Sequence, residues 1–250
     1  MRRRKTDGYR TNAPDNRSND AFDVYLTFNP DGSMTETDTT RYINGSSWSV
    51  KAKDSTSSYT QSQLTNSNGQ EVITVVDGDA HVRGTVNGKL TIAVTQPSTH
   101  RISSSTQYSS VAPGNAFDKT KDGNIIVEGN SIYNNNTDML GLVADQSVVV
   151  DNRKTAGNIE VDAAIFARQG SWGYLDYMGD QTGYYNSGVV GKLKVFGSIT
   201  QNSRGRVANT DPVPTTGFNR YYVFDNRFYT KHPPFFPAAV NQFQIVSWRE

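Results

Sequence analysis

Four stretches of this 250-residue chain can be laid over one another: NGKLTIAV (87–94), DGNIIVEG (122–129), AGNIEVDAAI (156–165) and GKLKVFGSI (191–199). Each runs glycine, a polar or basic residue, then an apolar–polar–apolar alternation. Strand side chains point alternately to two faces, so Leu90/Ile92/Val94, Ile125/Val127, Ile159/Val161 and Leu193/Val195 each send one set of side chains the same way. A helix needs apolar residues every three or four positions, a period nearly absent here. A short strand that buries one face, turns at Gly or Asn and recurs predicts an all-β chain wound as a single-stranded β-helix, a β-solenoid. The irregular spacing is what loops of unequal length leaving the coils produce. A β-sandwich is the structural alternative, since short alternating strands with turn signals fit it too. Small residues at expected inward slots (Ala93, Ala144, Ala163, Ala167) and the frequent Gly/Asn corners favour the narrow interior of a solenoid.

Residues 1–20 are charged and Asn/Arg-rich and read as a flexible lead. Within 21–70, Val24, Leu26 and Phe28 alternate with Tyr25 and Thr27 before the tight turn of NPDG, which predicts a hairpin. Residues 51–69, rich in Ser, Thr, Gln and Asn, read as a surface loop joining the solenoid of 71–200. The remainder, 201–250, holds the greasiest segment: YYVFDNRFYTKHPPFFP (221–237) has seven aromatics and three prolines in seventeen positions. The last coil of a solenoid leaves apolar side chains and strand edges open to water. Prolines 233, 234 and 237 cannot donate ladder hydrogen bonds, so this segment suits a cap. Phe224, Phe228, Phe235, Phe236 and Trp248 are expected to roof the open coil or its flank, with FQIVSW returning as a final strand.

With 25 basic and 24 acidic residues the net charge is +1, so no bulk electrostatic case exists for nucleic acid or anionic membrane. MRRRK is the only dense basic run, and polar residues follow it where a signal peptide needs an apolar core. No apolar run approaches the ~20 residues that span a bilayer as a helix, and no membrane insertion by this chain is expected. The chain has no cysteine, which excludes disulfides and thiolate metal sites.

Asp77, Asp79 and His81 alternate along VDGDAH, where carboxylates would suit Ca²⁺ or acid–base work; Asp-Gly-Asp is also ordinary corner composition. Glu160 and Asp162 lie opposite Ile159, Val161 and Ala163, as a carboxylate pair of a polysaccharide-cleaving β-helix would, or as an outward solvated face. His81, His100 and His232 show no metal-ligand spacing, so no catalytic, metal or cofactor residue is expected. The best candidates for contact with a partner or ligand are Trp172, Tyr174, Tyr177, Tyr184 and Tyr185, set among glycines in what reads as an excursion between two coils, with Arg204 and Arg206 beside them. Packing against the solenoid's own flank explains these rings equally well.

The ending TGFNRYYVFDNRF, PPFFP and FQIVSWRE resembles the C-terminal signature of a bacterial domain family, the domain of unknown function 4900 type. Its members close with Gly-Tyr-x-x-x-Tyr-x-Tyr-Asp-x-Arg, a Pro-Pro-x-Phe pair and Ser-Trp-Arg-Glu. The similarity runs back through GKLKVFGSITQNSRGRVA, IEVDAAIFARQGSWGYLDY and DMLGLVADQSVVV to DVYLTFNPDG, most of residues 21–250. The resemblance implies a β-solenoid module of exported, envelope-associated proteins, behind an anchoring or pilin-like helix that this sequence does not show, and it brings no active-site residues. The expectation is a non-enzymatic structural or adhesive protein of the bacterial surface or an extracellular, pilus-like filament, associating with itself or with other subunits. A glycan-binding or glycan-degrading β-helix, including phage-type receptor binders, and a DNA-capturing module of a competence pilus are the alternatives.

Overall fold

The computed structural model describes residues 4–5, 20–44, 47–60, 70–76, 78–95, 123–151, 157–174, 188–205, 207–209 and 216–237, with the backbone alone at several strand positions, chiefly 38–55 and 70–76. They form an all-β arrangement in a mixed sheet; no α-helix occurs among them, and a 3₁₀ turn covers Asn226–Tyr229. After β1 (Arg4–Lys5) comes an antiparallel meander of β2 (Asp20–Phe28), β3 (Met34–Asn44) and β4 (Ser47–Tyr59). The NPDG hairpin forms as the sequence predicts: Gly32 takes φ 81° and donates to Asn29 O at 2.9 Å. The surface loop expected over 51–69 is corrected for 51–59, which belong to β4. Ser and Thr are compatible with a strand when a neighbour supplies the ladder, and β3 supplies it here.

The rest of the chain contributes β5 (Gln70–Val76), β6 (Gly78–Val86), β7 (Lys89–Thr95), β8 (Ile125–Tyr133), β9 (Met139–Ala144), β10 (Val148–Val150), β11 (Ile159–Ala167), β12 (Trp172–Tyr174), β13 (Gly188–Gln201), β14 (Ala208–Asn209) and β15 (Thr216–Phe224). Apart from β14 against β15, these strands pair in parallel. Three rows of aligned residues result. The first joins Ala80, Ile125, Val148 and Trp172. The second joins Gly84, Ser131, Val161, Val195 and Tyr222. The third joins Ile73, Ile92, Leu142, Ile165 and Ile199. Strands β6, β8, β11 and β13 each take part in two rows, so the chain bends from one face to the next within a strand.

The alternation explains the core. Leu90, Ile92, Val94, Ile125, Val127, Ile159, Val161, Leu193 and Val195 all join one buried cluster. Each such side chain contributes about 1.5–3 kcal/mol when fully removed from water. Ala144, Ala163 and Ala167 sit in that cluster as expected; Ala93 does not, because it lies between Ile92 and Val94 and therefore on the other face. The glycines that open three of the four superposed segments, Gly88, Gly123 and Gly157, have φ of 107°, 105° and 93°, a region that side chains disfavour. Corner turning, rather than strand packing, demands them.

One corner is itself laddered. Gln146 N donates to Gly123 O, Gly170 N to Gln146 O and Ser203 N to Gly170 O. Side chains repeat the pattern: Asp79 Oδ1 accepts from Asn124 N and Nδ2, Asn124 Oδ1 accepts from Ser147 N, and Ser147 Oγ accepts from Ser171 N. Asn124, Ser147 and Ser171 are fully buried, so this polar row replaces the water those groups would otherwise need. Asp79 thus serves the corner, the structural role that its Asp-Gly-Asp setting suggested; Asp77 lies outside the described residues.

Candidate functional site

Trp172 and Tyr174, expected to offer rings to a partner, are instead core residues, 2% and 3% exposed. Their strand is three residues long and lies on β10, and Gly173 between them puts both rings on the inner face. Trp172 Nε1 donates to Tyr222 Oη at 3.0 Å, and Tyr174 meets Phe218 edge-on with centroids 6.1 Å apart. Arg204 is exposed. Tyr177, Tyr184, Tyr185 and Arg206 lie outside the described residues, so the structure brings together only Trp172 and Arg204, around Tyr222. Tyr222 is 43% exposed as a residue, but its hydroxyl lies against the buried Trp172, and the desolvation there raises the phenol's pKa, partly offset by the Trp172 hydrogen bond and by the positive fields of Arg220 and Arg204.

The aromatic and proline-rich segment covers a flank. Beyond β15, Asp225 is buried and chelates Arg227 through Nε and Nη2, while Arg227 Nη1 reaches the carbonyls of Asn136 and Asp138. The same guanidinium lies 4.9 Å from the Tyr133 ring centroid and 5.9 Å from that of Phe196. Further on, Thr91 Oγ1 donates to Pro234 O at 2.5 Å, and Phe236 packs edge-on against Phe166. A side chain at Gly141 would strike Phe236 and Pro233, so β9 is kept bare where the segment crosses it. Phe224 and Phe235, expected to roof the core, are 45% and 55% exposed. Phe218 and Val207 are the buried apolar residues at that end, missed because neither belongs to the conspicuous aromatic run. Trp248 and FQIVSW lie outside the described residues.

Two titratable clusters lie on the outer face. In the first, Glu160 is ion-paired with Lys194, while Asp162 is 8% exposed and accepts from Tyr133 N at 3.0 Å. Burial pushes the Asp162 carboxyl up to about 6, with Glu160 adding to the rise and the Tyr133 amide and Lys194 opposing it. Asp162 Oδ1 has no donor among the described residues, and a proton shared with Glu160 would satisfy it. The outward solvated pair expected from sequence is therefore a tied one, with Asp162 largely withdrawn from water.

The second cluster has no counterpart in the sequence reading. His81 Nδ1 lies 2.6 Å from Glu128 Oε1 and Nε2 lies 3.7 Å from Asp23 Oδ1, the latter an ion-pair distance beyond hydrogen-bond reach. The Tyr25 ring stacks on the imidazole at 4.2 Å. Burial draws the imidazole pKa down, but Asp23 and Glu128 outweigh it and the net shift is upward. β2, β6 and β8 supply one member each, with Tyr25 directly opposite His81. The cluster clamps the meander onto the parallel rows. Among the described residues no group of His, Asp and Glu is placed to hold a metal ion.

What is left open is the outer edge of β15. Its other side pairs with β13, and beyond Gly217 residues 219–224 have no further strand neighbour among the described residues. Tyr221, Tyr222 and Phe224 are 52%, 43% and 45% exposed, and with Tyr229 and Phe235 they are the large apolar side chains exposed among the described residues. Arg204 and Arg220 are exposed beside them with no ion pair among the described residues. No family model, curated protein or solved structure matches the chain.

Proposed function

We propose that this chain is a non-enzymatic β-solenoid that acts as a structural or adhesive module of a bacterial surface or an extracellular filament. The rows of parallel-paired core residues, the laddered polar corner and the sequence resemblance to an envelope-associated domain family support the solenoid. The observation that carries the associating role is the gathering along the β15 edge of exposed rings and of cations with no ion pair among the described residues, since monomeric proteins seldom leave a strand edge and large apolar side chains open together. The outer-face carboxylates are assigned a structural role, because Glu160 is held by Lys194 and Asp162 by the Tyr133 amide.

Negative-stain imaging and small-angle scattering of the purified chain test this reading. Elongated particles that join as concentration rises are expected. Compact particles that stay separate at every concentration would contradict it, as would release of reducing sugar from an acidic polysaccharide that is lost on Glu160→Gln.

A further inference from the structure

We propose that β15 pairs antiparallel with β15 of a second copy, about a two-fold axis at Tyr222. This deepens the proposed associating role and rests on it, naming the surface and the occupant. Among the described residues, 219–224 pair on one side only, and the rings along that edge are the exposed apolar surface already noted. Tyr, Phe and Arg are the residue types enriched at the centres of protein interfaces.

The segment Asn219-Arg-Tyr-Tyr-Val-Phe224 is complementary to itself when reversed. With Tyr222 opposite the partner's Tyr222, Arg220 falls opposite the partner's Phe224 and Tyr221 opposite the partner's Val223. Residues directly opposed in an antiparallel pair share a face with Cβ atoms about 4.5–5.5 Å apart. Each Arg220 then lies over a ring, a favourable cation–π pair, and the two arginines are kept apart. Parallel pairing in register would instead set arginine beside arginine. Residues 220, 222 and 224 align with Leu193, Val195 and Gly197 of β13, of which Leu193 and Val195 belong to the core. The two-fold therefore places both cores on the same side of one continuous sheet, with the β2–β4 meanders facing outward.

The absence of cysteine makes the register directly readable. Tyr222→Cys is expected to oxidise to a covalent dimer, because the opposed Cβ separation lies close to disulfide geometry. Arg220→Cys and Phe224→Cys are each expected to stay uncrosslinked alone but to link when mixed. This second pair leaves the Trp172–Tyr222 hydrogen bond intact. By sedimentation equilibrium the unaltered chain should form dimers, and Arg220→Glu should weaken them roughly tenfold or more, as expected for losing a cation–π pair in each half. A chain that stays monomeric at every concentration, or variants with unchanged circular dichroism that link neither at 222 nor between 220 and 224, would overturn the proposal. If scattering still shows an elongated particle, only this pairing fails. If the particle is compact, the solenoid reading fails with it.

Discussion

The two ends of the parallel rows are finished in opposite ways. At one end β2 lies on β6, and an antiparallel meander continues the sheet outward from it, locked by a histidine between two carboxylates. At the other, β15 lies on β13, and beyond its short pairing with β14 no further strand joins it among the described residues, where three rings line its edge. A strand edge can be satisfied by more of the same chain or by something else. The meander does the first, which makes the β15 end the place to look for a partner.

The largest effect is expected at the closed end. Glu128→Ala leaves His81 and Asp23 buried without the 2.6 Å contact, and breaking a buried charge pair in this way typically costs about 3–5 kcal/mol. Urea unfolding should register a loss in that range; a change below about 1 kcal/mol would place the clamp among ordinary surface pairs.

The pH dependence separates the clamp from the outer face of β11. Asp162 has a folded pKa near 6, above its ordinary value of 3.8, so its contribution is fully present below about pH 3.8 and lost as pH rises through 6. His81 is also raised, so its contribution is present below its ordinary value of 6.5 and lost as pH rises through the higher folded value. Stability profiles should show both declines, with Asp162→Asn removing the lower and His81→Gln the upper. Profiles that keep both steps in these variants would show that other groups carry them.

At the open end the effects are smaller. Tyr222→Phe keeps the ring but removes the acceptor of the Trp172 Nε1 hydrogen bond, a loss of about 1 kcal/mol in thermal or urea unfolding. Tyr229, 78% exposed, should tolerate Tyr229→Ser within about 0.5 kcal/mol, since little packing is lost. A larger destabilisation of the folded monomer would mean that this ring is covered.

Much of the local structure was legible because it follows from alternation and corner chemistry. The inward triplets and the positive-φ glycines of the superposed segments are where the sequence puts them. The segments themselves do not share one row, however. β7 aligns with β9, the start of β8 with β10, and β11 with β13. A glycine corner followed by a strand recurs on each face, so matching that unit reveals its recurrence without its position. Trp172 and Tyr174 were misplaced because QGSWGY looks like a loop, although Gly173 between them allows a short strand with both rings inward. The Asp23–His81–Glu128 clamp left no local signal, since ladder register across long intervening segments brings its members together. The flank-covering role of Pro233 to Phe236 was half visible: proline excluded a central strand, but the place where the segment lies is set by Thr91, Phe166 and the bare surface of Gly141, which nothing in the segment itself announces.

Residue-resolved amide hydrogen exchange, followed from dilute to concentrated solution, tests the central contrast most directly. In dilute solution the amides of β6 and β8 should exchange slowly, while those of Asn219–Phe224 that face away from β13 exchange fast and slow down as concentration rises. A β15 as protected as β6 at every dilution, or a β6 and β8 that exchange as fast as β15, would contradict a stack closed at one end and open at the other.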